Sequence, residues 1–381
     1  MPTDHRLLYL VTVTTLLVVG AHGGTPLGST IIAGSTNSIG DTVPSGGTTL
    51  GVATMLTNAV GAAVFHAVDL QFGGTLTIAC PTAASSYTKP LLVTIVNGTT
   101  LIAMTATAHI NISGVLGGMS RVSITGGSYT FVNADPSYFM QSTSALTITG
   151  SSALEIVGTF FTVPPSFTAG GTTAVLSTSS IALSNNSTLS IHGTTIGAYN
   201  VSVVGYWYLY VLRTLSLMNV SSGSTLSIVG VSTVVRGVVT GSVASSLLYG
   251  PMFVNGTVNV EDASIDGMWS KWIESTSISG TGQVHIVNVT TTGAGGMVSV
   301  PFVLQGDAPT FHVCRNYVNS VLCNLSTTNE YSCAPNISPR AVVCDVPPEA
   351  TTTTTTTATT TPTTTALSTT VPQLKLTRIV L

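Results

Sequence analysis

The chain has 381 residues, of which only 6% are Asp, Glu, Lys or Arg, and its net charge is −3; typical soluble domains carry roughly 25% charged residues. Its hydrophobic fraction of 44% supplies ample core material and excludes a chain held unfolded by its own charge. No Lys/Arg cluster tracks phosphates, so nucleic acid is excluded as an expected partner.

Residues 1–23 read as an export signal. Arg6 gives a short basic start, Leu7 to Val19 an apolar run, and Ala21 and Gly23 the small residues of a cleavage site. That run is shorter than the about 20 residues a bilayer-spanning helix needs. Further on, the apolar run Val201 to Leu212 ends at Arg213, and Lys375 and Arg378 interrupt the closing segment. Membrane association is therefore expected only through an unseen anchor or a partner, with the protein secreted or at the cell surface.

Residues 24–310 form a body of Gly, Ser, Thr, Val, Ile and Leu. A phrase of the form small-Leu/Val-x-Ile-x-Gly recurs in it, as in Arg121–Gly126, Ala145–Gly150, Ala153–Gly158, Thr188–Gly193 and Thr225–Gly230. Weaker copies are Thr75–Ile78, Thr257–Val260 and Gln283–Ile286. Apolar and polar residues alternate within each phrase, which puts them on opposite faces of a strand, and the closing Gly supplies a turn. The steps from Val122 onward are 24 to 37 residues, with one of 8. Sandwich strands usually recur every 8–12 residues. The long steps suit turns of a solenoid, and the short one suits two strands of one turn joined by Gly150-Ser151-Ser152. The expected fold is all-β, an irregular right-handed parallel β-helix; an antiparallel sandwich is the competing architecture.

Residues 311–349 hold Cys314, Cys323, Cys333 and Cys344, spaced by 9, 10 and 11 residues. In an exported chain they predict two disulfides in a small C-terminal cap, with three possible connectivities. Zinc is disfavoured because no C-x-x-C pair exists and only His312 lies nearby. Cys80 is left over and reads as a buried thiol. Residues 350–381 open on a threonine tract with no core-forming residues before Leu367, the composition of an O-glycosylated stalk or a disordered tail. Ten Asn-x-Ser/Thr acceptor sites occur, at Asn97, Asn111, Asn185, Asn186, Asn200, Asn219, Asn255, Asn288, Asn324 and Asn336.

Chemistry-bearing candidates are few. Asp262 and Asp266, placed on one strand, would share a face and could act as a carboxylate pair on a polysaccharide. Trp269, Trp272 and the run Tyr206 to Tyr210 could stack on sugars or pack the core. His192 and His285 fall within strand phrases and read as polar surface residues. No cofactor is implied.

The stretches Ile124–Ser128, Ser144–Ile148 and Gly223–Ile228 resemble repeats of the dispersed gene family surface proteins of trypanosomes and related kinetoplastid membrane-associated proteins. The resemblance covers roughly residues 90–300 and implies an adhesin-like surface protein on a pectin-lyase-like β-helix. The expectation is a non-enzymatic glycosylated surface or secreted protein for adhesion, shielding or matrix contact, with glycans or cell-surface and matrix proteins as partners. The alternative is a polysaccharide lyase or hydrolase, or a carbohydrate-binding module, on the same fold.

Overall fold

The computed structural model describes residues 27–344 apart from 28–29, 32–35, 38–39, 53–62, 102–105, 133–134, 165–170, 203–204, 237–241, 268, 293–296, 300–307, 327–330, 335–336 and 338–339. The expected export signal and threonine-rich tail lie outside the described residues. Of the chain's two units, Met1–Cys344 and Asp345–Leu381, the first holds every described residue.

The protein is a parallel β-solenoid, 62% strand and almost without helix. Each turn lays one strand, or two short ones, on sheet I, then one on sheet II and one on sheet III. Successive turns pair in parallel, except for a terminal antiparallel hairpin, Tyr317–Val318 with Val321–Leu322. Sheet II explains the recurring phrase. Leu91–Val96, Arg121–Thr125, Ala153–Val157, Thr188–His192, Thr225–Val229, Thr257–Glu261 and Gln283–Val287 stack in unbroken register. Their inward column, Val93, Val122, Leu154, Leu189, Leu226, Val258 and Val284, is fully buried. At about 25 cal/mol per Å², each such side chain contributes roughly 1.5–3 kcal/mol. Two phrases sit elsewhere: Leu76–Ala79 and the end of Ser137–Ile148 belong to sheet I. The short step is as expected, since Ser137–Ile148 and Ala153–Val157 are consecutive strands of one turn.

The phrase ends in Gly because the corner between sheets II and III needs a left-handed backbone. Asn97, Gly126, Gly158, Gly193, Gly230, Asp262 and Asn288 occupy equivalent positions, with φ between 51° and 65°. These are the residue types that tolerate this region. Their amides continue the ladder around the bend, as in Gly158 N–H to His192 C=O and Gly193 N–H to Val229 C=O, both 2.8 Å.

The corner between sheets I and II is held differently. Ser120, Ser152, Ser187 and Ser224 form a buried column. Ser120 N–H donates to Ser152 Oγ at 3.0 Å, and Ser187 N–H to Ser224 Oγ at 3.3 Å. Hydroxyls thus satisfy amides that the bend removes from the strand ladder. Gly256 and Gly282 continue the column where there is no room for a side chain; a Cβ on Gly256 would lie 2.4 Å from Ser224 O.

Pairing runs on into the cysteine-containing segment. Thr310–Cys314 stacks on Gln283–Val287, and Ala341–Val343 stacks on Thr310–Cys314. The disulfides are Cys314–Cys344, tying the last two strands of sheet II, and Cys323–Cys333. Buried Asn316 closes this end: its Oδ1 accepts from Val289 N–H, and its Nδ2 donates to Ile286 C=O and Tyr331 Oη.

The corner makes a test at Gly193, where a Cβ would have no contact closer than 3.8 Å, so only backbone strain is at issue. Gly193→Val should cost about 1–3 kcal/mol in denaturant unfolding, and Gly193→Asn distinctly less.

Candidate functional site

Sheets II and III alternate regularly; sheet I does not. In its longer strands two successive residues face inward: Phe139-Met140, Val175-Leu176, Val211-Leu212, Leu247-Leu248 and Trp272-Ile273, all fully buried. The residues flanking each pair face outward, and side chains three apart approach each other across the bend. Lys271 Nζ lies 2.9 Å from Glu274 Oε1, and the Arg213 guanidinium is 5.8 Å from the centre of the Tyr210 ring. Those outward positions stack from turn to turn. Tyr208 is in register with Ala244 and Trp269, Tyr210 with Ser246 and Lys271, and Arg213 with Tyr249 and Glu274.

The grid is tightly connected. Tyr208 and Tyr210 stack at 6.1 Å with a 6° interplanar angle, and Tyr210 meets Tyr249 at 4.8 Å. Arg213 lies 6.0 Å from the Tyr249 ring and donates from Nη1 to Tyr138 Oη at 3.1 Å. Glu274 accepts from Ser246 Oγ at 2.8 Å and from Lys271 at 2.9 Å. A depression of about 280 Å³ adjoins it, lined by Leu215, Tyr249, Pro251, Glu274, Ser275 and Thr276.

The aromatic candidates divide between core and surface. Trp207 and Trp272 are wholly buried, their indole N–H groups donating to Thr173 Oγ1 at 3.0 Å and Thr291 Oγ1 at 2.7 Å. Tyr206, Tyr208 and Trp269 stand outside, 68%, 38% and 52% exposed.

Asp262 and Asp266 do not share a strand. Asp262 is the left-handed corner residue of its turn, and Asp266 ends the sheet III strand Ser264–Asp266. Each reaches the following turn: Asp262 Oδ1 accepts from Asn288 Nδ2 at 2.7 Å, and Asp266 Oδ1 from Thr292 Oγ1 at 2.9 Å. A second depression, of about 470 Å³ on sheet II, is lined by short hydroxyl side chains with Arg121, Glu155 and His192. Its one guanidinium is already forked onto Glu155 at 2.6 and 2.8 Å.

Of the acceptor asparagines, Asn97, Asn185, Asn186, Asn200, Asn288 and Asn324 are exposed, while Asn111, Asn219 and Asn255 are half-buried. Asn336 lies outside the described residues. His192 and His285 are half-buried on the outer face of sheet II, with His285 stacked on His312 at 4.6 Å.

The most perturbed histidine is one the sequence did not single out. His109 is fully buried among Phe72, Tyr129 and Phe139, its Nδ1 against Tyr138 C=O and its Nε2 accepting from Thr100 Oγ1 at 2.8 Å. Burial lowers its pKa to about 4, against the pull of backbone hydrogen bonds. Between the unfolded value of 6.5 and this folded value, only the unfolded chain takes up the proton. Stability therefore falls as pH drops through that window, by roughly 3 kcal/mol at 1.36 kcal/mol per unit. Denaturant unfolding from pH 7 to pH 4 should show His109→Phe losing less stability than the wild type.

Cys80 is buried with its thiol pKa pushed up to about 11, burial outweighing the hydrogen bond with Tyr87. A thiol-alkylating reagent at mildly alkaline pH should leave native Cys80 unlabelled and label it fully after unfolding.

No protein-family model matches the chain, and no match was found among curated proteins or solved structures. No helix among the described residues is long and apolar enough to cross a membrane.

Proposed function

We propose that this chain is an exported, glycosylated, non-enzymatic surface protein whose solenoid serves adhesion or matrix contact. The observation that carries the reading is the placing of acceptor asparagines. Asn97 and Asn288 sit on the left-handed corner column, Asn185 and Asn186 on the turn between sheets I and II, and all are exposed. Corners point side chains away from the core, and a glycan there leaves the ladder intact. The two disulfides suit an oxidising compartment, and the resemblance to kinetoplastid surface proteins suits the same reading. The hydrogen bonds of Asp262 and Asp266 give both carboxylates a structural use, which favours adhesion over hydrolysis.

Site mapping by mass spectrometry on protein from a secreting eukaryotic host tests this. Glycans should be found at Asn97, Asn200, Asn288, Asn324 and one of Asn185 and Asn186, in preference to Asn111, Asn219 and Asn255. Native protein recovered from the cytosol with every asparagine unmodified would overturn the proposal.

A further inference from the structure

We propose that the outer face of sheet I, across the strands Tyr206–Thr214, Ser242–Tyr249 and Trp269–Glu274, binds an acidic glycan through its exposed rings and the Arg213 guanidinium. The proposal deepens the adhesive reading by naming a ligand class, and it stands on the geometry of this face alone.

Three features carry it. The first is aromatic surface turned to solvent. Tyr208 and Trp269 are exposed on one column, separated by the small side chain of Ala244. Exposed rings flanking a small residue leave a flat shelf on which the apolar faces of sugar rings can lie. Tyr208 stacks on Tyr210, and Trp269 remains 52% exposed.

The second is charge. Lys271 and Glu274 neutralise each other, whereas Arg213 has no carboxylate within ion-pair distance among the described residues. Its guanidinium is held by the Tyr210 and Tyr249 rings and by Tyr138 Oη, and its Nε is buried without a partner. The face as a whole therefore carries one net positive charge in a chain whose own net charge is negative. A guanidinium is also suited to carboxylate recognition.

The third is spacing. Tyr208 and Trp269 lie two turns apart, as do Arg213 and Glu274, whose carboxylate is held by Lys271 on the neighbouring column. Strands stack about 4.8 Å apart, so two turns span about 10 Å, close to a disaccharide in an extended chain. The exposed rings thus repeat at about the length of a disaccharide, with Arg213 the one unneutralised cation on the same face among the described residues. The depression of about 280 Å³ beside Tyr249 and Glu274 has room for one sugar ring.

The test is calorimetric titration of the full chain, produced by secretion and enzymatically deglycosylated so that its own glycans do not compete. Hyaluronan oligosaccharides are the acidic probe and chitin oligosaccharides the neutral one. Hyaluronan should bind in a salt-sensitive manner, at least tenfold more tightly than chitin. Tyr208→Ala and Trp269→Ala should each weaken it at least tenfold, while Tyr199→Ala, an exposed tyrosine on sheet III, leaves it unchanged. Arg213→Gln should abolish the salt dependence, with circular dichroism checking that the variant is folded. Absence of hyaluronan binding at millimolar concentration, equal binding of chitin, or binding insensitive to both sheet I variants would overturn the proposal. None of these results bears on whether the protein is exported and glycosylated.

Discussion

A backbone amide at the corner of a coiled chain lies between two sheets, yet it borders an apolar interior and still needs an acceptor. At the corner between sheets II and III this protein meets the requirement by keeping the turn-to-turn ladder running through the bend. The carbonyls of Thr125, Val157, His192, Val229 and Val287 each receive a corner amide from the preceding turn. That continuity requires equivalent corners to have the same left-handed geometry, which in turn holds sheet II in register over its whole length. The buried valine, leucine and isoleucine columns follow from it. A strand that slipped by one residue would turn its apolar column to solvent.

The sequence displays this part of the fold openly. Sheet II is solvated on one face and buried on the other, so its strands alternate, and the corner favours Gly, Asn or Asp as the next residue, with Arg315 the departure near the C-terminal end. Both signals fall within six residues, as in Thr188–Gly193. Sheet III is less legible because its strands are as short as Thr99–Thr100 and rich in threonine on both faces. Sheet I is the least legible. Consecutive inward residues such as Val211-Leu212 break the alternation, and outward residues such as Tyr210, only 4% exposed, are covered by their neighbours.

The same irregularity hid most of the candidate site. The run Tyr206 to Tyr210 was visible as aromatic, but which rings face outward depends on the bend, and Tyr249 carries no local signal at all. Its place beside Arg213 is set by register across a turn, and the segment linking sheet I to sheet II changes length from turn to turn. Asp262 and Asp266 show the converse. Their spacing suggested one strand, but the corner between them belongs to a column that becomes apparent only when the turns are stacked. His109 was also beyond reach, since a lone histidine in Ala108–Ser113 gives no sign of the three aromatic rings, Phe72, Tyr129 and Phe139, that the stacked turns bring to it.

The corner column has a further consequence for how such a chain can change length. Because Gly158, Gly193 and Gly230 are interchangeable in conformation and in the bonds they make, a segment running from one to the next is a self-contained module. Unequal crossing-over between two such points would add or remove a whole turn while leaving every remaining strand facing the correct way. The fold can thus be lengthened or shortened genetically in units of one coil, without redesign of the interior.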